Sequence, residues 1–134
     1  MSNDNIKLRN FKPDALVRIP VNINNFFKTW LLFLRPYHEL TDRQIDVASG
    51  FLKYRWELSK VIKNEKLLDE NVMGENIKKK IREDCGITYN NFQVVMSELK
   101  KHKMIINNTI NPKYIPSLKE DTEGFSFMIY FQIQ

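Results

Sequence analysis

The chain has 134 residues, a length that fits one compact domain and is enough to bury a core without disulfide or metal staples. Lys and Arg number 21 against 16 Asp and Glu, a net charge of +5 that permits a nucleic-acid partner without demanding one. The single cysteine, Cys85, excludes an internal disulfide framework and suits a reducing compartment such as the cytoplasm. No run approaches the roughly 18–20 apolar residues of a membrane span, and the opening MSNDNIKLRN has no apolar signal core, so neither membrane insertion nor secretion is expected.

In chain order, residues 1–14 are polar and aperiodic and read as an arm. Ala15 to Ile19 is short and rich in strand-forming residues before Pro20, which predicts an edge strand. Asn22 to Leu34 is apolar over most of its surface and stops before Pro36, which predicts a buried helix. Thr41 and Gln44 match a capping box, and Ile45, Ala48, Leu52 and Trp56 recur at helical spacing after it. Val47, Phe51, Tyr54 and Leu58 widen that stripe, so a long helix is expected to about Ile62. Residues 64–74 read as a loop with one turn of helix.

Ile77 and Ile81 share a face over Glu75 to Cys85, and Gly86 stands where a left-handed residue closes a helix. Thr88 then serves as N-cap of a further helix whose inner stripe is Phe92, Val95, Met96 and Leu99. Lys100, Lys101, His102 and Lys103 place cations at its negative end. The remainder changes period. Residues 104–110 look extended, residues 118–124 (LKEDTEG) form a polar excursion, and residues 125–133 alternate as a closing strand with Phe125, Phe127, Ile129, Phe131 and Ile133 on one face. The expected division is an N-terminal arm, strand and apolar helix over 1–40, then a domain over 41–134.

Helix, three-residue turn, helix and two strands is the order of the winged helix-turn-helix, and KKKIREDCGITYNNFQVVMSELKKHKMI resembles that family where its packing requires. The phrase TINPKYI (109–115) is also similar to the wing segment of RepL-type replication proteins and of small winged-helix proteins in phages of gut Bacteroidetes. The resemblance covers about residues 41–133. It implies an α+β fold, mainly helical, with a small antiparallel wing formed by 104–110 and 125–133. It also implies double-stranded DNA as partner, with a phage- or plasmid-encoded role in transcription regulation or replication.

On that frame the helix after Thr88 would lie in a major groove, where each base pair shows a distinct donor and acceptor pattern. Its outward side chains are Tyr89, Asn90, Gln93, Ser97 and Lys101. Asn and Gln can pair bidentately with adenine, whereas Tyr89 and Ser97 suit phosphate, and Thr88 at the cap is counted with the DNA-binding residues. Lys78, Lys79, Lys80 and Arg82 decorate the preceding helix. Residues 76–103 carry seven basic and three acidic side chains, a local +4. Lysine triplets are common on solvated helix faces, and only the frame around Lys78–Lys80 points to DNA. Two features oppose DNA: the expected wing tip KEDTEG is acidic, and no Arg stands on the reading face.

No chemistry-bearing constellation suggests an enzyme, a metal site or a cofactor. His38 and His102 are far apart in sequence, Cys85 sits on an apolar face, and the four glycines do not cluster into a phosphate loop. Phe26, Phe27, Trp30, Leu31, Phe33 and Leu34 exceed what one helix face can bury, so a homo-oligomer or docking role is expected for residues 1–35, with Phe26, Phe27, Trp30 and Phe33 at the contact. The competing reading is a non-enzymatic virion or assembly subunit whose winged helix binds protein.

Overall fold

The computed structural model describes residues 16–119 and 123–134. The expected arm at 1–14, residue 15 and residues 120–122 of the polar excursion lie outside them. The described chain is mostly helical, with one two-stranded antiparallel sheet, an α+β composition. The helices are α1 (Ile23–Phe33), α2 (Arg35–His38), α3 (Asp42–Ser59), α4 (Glu65–Val72), α5 (Glu75–Cys85) and α6 (Tyr89–Lys101). Strands β1 (Ile105–Ile106) and β2 (Thr109–Ile110) follow, and a 3₁₀ turn spans Pro112–Tyr114.

Helix α3 is the hub. Thr41 and Gln44 form the reciprocal capping box that their spacing predicts, with the Thr41 amide donating to Gln44 Oε1 at 3.0 Å. Ile45, Val47, Ala48, Phe51 and Leu52 are buried along α3, whose surface receives α1, α4, α5 and α6. Phe51 meets Phe92 of α6 at a ring separation of 6.4 Å. Gly50 lets Ile81 of α5 come close, since a Cβ there would stand 3.2 Å from the Ile81 side chain. Each fully buried Leu, Ile or Phe contributes about 1.5–3 kcal/mol relative to exposure.

Helix α1 differs from expectation in one respect. It is not buried all round: Phe27 and Leu31 face the core, whereas Ile23, Leu32 and Phe33 are exposed. It also packs on α3 and shares its core. Asn22 caps it, with Asn25 returning the bond, a reciprocal pair that hydropathy patterning does not reveal. The helix stops before Pro36, as expected. Pro36 opens the single turn of α2, where a missing amide costs nothing.

Residues 64–74 hold two turns of helix rather than one, capped by Asn64, with Leu68 and Val72 buried. The larger corrections concern strands. Residues 16–19 form none, and residues 125–133 form none either, so the expected pairing of 104–110 with 125–133 is replaced. The sheet closes within 104–110 instead. Asn107 and Asn108 take φ of +52° and +57°, the left-handed pair of a tight hairpin turn, and bring Ile105 opposite Ile110. Asparagine tolerates that backbone because its side chain can bond locally. The closing segment covers α1: the Phe125 ring lies edge-on to Phe26 and Trp30, and Phe127 edge-on to Trp30 and Phe33.

Among the described residues, no helix is long and apolar enough to cross a membrane.

Candidate nucleic-acid interface

The turn between α5 and α6 is built as its sequence predicts. Gly86 has φ +63°, its amide donates to the Glu83 carbonyl at 3.2 Å, and the Ile87 amide donates to the Arg82 carbonyl at 3.1 Å. These are the two bonds of a Schellman closure. Thr88 then accepts from the Asn91 amide at 3.2 Å and starts α6. Both helices rest on α3, so their relative placement is set by a common support.

Phe92, Val95, Met96 and Leu99 are buried, which turns the opposite stripe of α6 to solvent. Asn90, Gln93, Ser97 and Lys101 are exposed there, and none of their side chains is hydrogen-bonded within the described residues. Tyr89 is exposed at the start of the helix. Val94 stands in the middle of this stripe, 63% exposed, between Asn90 one turn before it and Ser97 one turn after. A search for polar contacts passes over Val94 because it is apolar. Its place opposite the buried stripe is the signal that finds it.

Three expected contact residues also have partners within the chain. Arg82 is only 15% exposed: its Nη2 donates to Glu75 Oε1 at 2.9 Å, and its guanidinium lies 5.2 Å from the Tyr89 ring and 5.4 Å from the Phe92 ring. It joins α5 to α6 through these contacts, while its Nη1 has no hydrogen-bond partner among the described residues. Thr88 spends its hydroxyl oxygen on the cap. The lysine triplet is not one patch, because successive helical residues turn by about 100°. Lys80 points toward α3, its ammonium 5.9 Å from the Tyr54 ring, while Tyr54 donates to Asp84 at 2.5 Å. Lys79 is exposed, and Lys78 lies on the side of Arg82 and hence of α6.

The hairpin leaves the end of α6 directly. The Met104 amide donates to the Leu99 carbonyl at 2.9 Å, and the Asn111 amide to the Met104 carbonyl at 2.8 Å. Its tip is Asn107-Asn108, which is uncharged, so the acidic stretch KEDTEG does not form the tip of the hairpin.

The four aromatic residues expected at an oligomer contact separate. Phe27 is 2% exposed against α3, a core residue of its own chain, and is withdrawn from any docking surface. Trp30 is half-buried, Phe26 half-buried beneath Phe125, and Phe33 exposed. Cys85 is half-buried with its thiol pushed up by burial, the behaviour of a packed side chain rather than a nucleophile. Comparison with protein families, with curated proteins and with solved structures finds no match to this chain.

Proposed function

We propose that the chain is a winged-helix protein that binds double-stranded DNA through α6. The observation that carries this reading is the uncommitted polar stripe of Asn90, Gln93, Ser97 and Lys101 on a helix whose other face is locked to α3. Free donors and acceptors on a rigid, exposed helix are what direct readout of base edges needs. Lys78 and Lys79 on the neighbouring α5 supply cations for the backbone. The short hairpin after α6 serves as the wing, and its neutral asparagine tip removes the objection raised by an acidic one. The similarity of TINPKYI to RepL-type wings supports a role in replication or transcription control of a phage or plasmid. Duplex binding measured over a range of salt concentrations tests the proposal directly.

A second reading, an assembly or virion subunit that forms homo-oligomers, draws on a different observation. Phe131 and Ile133 near the chain end are 84% and 94% exposed, and Phe33 adds an exposed ring on α1. Apolar surface of that kind favours a protein neighbour. The mass of the purified chain in solution, with and without duplex, separates the readings.

A further inference from the structure

The reading stripe of α6 has a composition with a chemical meaning. Of the four base pairs, A·T is recognised in the major groove by the N6/N7 edge of adenine and by the 5-methyl group of thymine. Asn90 and Gln93 carry the carboxamides that pair with that adenine edge. Between Asn90 and Ser97 the helix presents Val94, two methyl groups on a side chain left 63% exposed. Valine is a mediocre helix former because its branched side chain loses rotamer freedom, so this position is not explained by helix propensity. Arginine, the commonest reader of guanine, is missing from the same stripe. Arg82 of α5 pairs with Glu75 and lies against Tyr89, and Lys101 stands at the C-terminal end. The only carboxylate of α6, Glu98, stands one turn after Val94 and is drawn toward the helix end, 3.7 Å from His102 Nε2.

We infer that Val94 packs against the 5-methyl group of thymine and that α6 thereby selects A·T-containing major-groove sequence. The inference rests on the DNA-binding reading above and adds to it the class of site. The contact is methyl against methyl, so what it contributes is the burial of one or two apolar groups, a factor of about 3–5 in affinity for each methyl covered.

The test uses the full chain and three duplexes of equal length: one rich in A·T, one rich in G·C, and the A·T duplex with every thymine replaced by deoxyuridine. Anisotropy titrations should show tightest binding to the thymine duplex, with a loss of about 3–5-fold or more on removing the methyl groups. Val94→Ser, at an exposed position that folding does not depend on, should bind the thymine and uracil duplexes alike while keeping its circular dichroism spectrum. Equal binding of thymine and uracil duplexes by the unaltered chain overturns the inference and leaves DNA binding standing. Full discrimination retained by Val94→Ser also overturns it. Failure to bind any of the three at low salt overturns the underlying reading as well.

Discussion

The Trp30 indole Nε1–H donates to the carbonyl oxygen of Tyr114 at 2.8 Å, across 84 residues of chain. Trp30 belongs to α1 and Tyr114 to the 3₁₀ turn after the hairpin, so this bond ties the first described helix to the strands that follow α6. Tyr114 is buried, and without the indole its carbonyl would lose that partner in a site water reaches poorly. Trp30→Phe keeps most of the ring and deletes the donor. It should cost about 1–3 kcal/mol in urea unfolding while leaving duplex affinity within about twofold.

His38 adds a pH dependence. It is 1% exposed, with Nε2 2.7 Å from the Leu31 carbonyl and Nδ1 accepting from the Leu40 amide at 3.0 Å. That pairing requires the neutral ring with its proton on Nε2, and a second proton on Nδ1 would face the Leu40 N–H. Burial pushes the His38 pKa below the ordinary value, with Arg35 and His102 adding repulsion. The folded state therefore resists a proton that the unfolded chain accepts. Stability should be level above about pH 6.5, the unfolded value, and fall as the pH drops below it toward the lowered folded pKa. Urea midpoints measured between neutral pH and about pH 5, above the main carboxylate range, should show this slope, and His38→Gln should flatten it.

Gly86 offers a clean backbone test. Nothing lies within 4 Å of a Cβ built there, so Gly86→Ala meets no clash and is penalised only for its left-handed φ of +63°. A loss of about 1 kcal/mol in thermal or urea unfolding is expected. A larger loss would mean that the turn between α5 and α6 is held by something besides its backbone.

Charge reversal separates the lysines. Lys78→Glu with Lys79→Glu should reduce the slope of log affinity against log salt by about 1–2, whereas Lys80→Glu should change it less, because Lys80 turns toward Tyr54. Arg82→Ala should instead lower stability, through the lost Glu75 pair and the uncovered Tyr89 and Phe92 rings. A slope changed as much by Lys80→Glu as by the double reversal would contradict the turning of Lys80 away from α6.

The local signals in the sequence are legible where a single segment determines its own structure. Thr41 with Gln44, Gly86, Thr88 and the stripe Phe92/Val95/Met96/Leu99 each act within a few residues, and each stands where the spacing places it. Strands are not legible in the same way, because a strand is a property of a pair. The alternation of Phe125 to Ile133 has period two, yet Phe125 and Phe127 are used as edge-on rings over Trp30 instead of as one face of a sheet. The Asn107-Asn108 turn is readable in principle, since adjacent asparagines between apolar pairs suit a tight hairpin. Among the candidate site residues, the pairing of Arg82 is hard to read because its partner Glu75 is seven positions away, two helical turns, on the same side of α5.

The central claim is that α6, with Lys78 and Lys79 beside it, grips duplex DNA. The most direct measurement is anisotropy of a labelled duplex titrated with the full chain at a series of salt concentrations. The account predicts saturable binding at low salt and a linear fall of log affinity with log salt, with a slope of about −0.9 for each phosphate neutralised. No binding to any duplex at the lowest salt, with the chain shown to be folded, would contradict it.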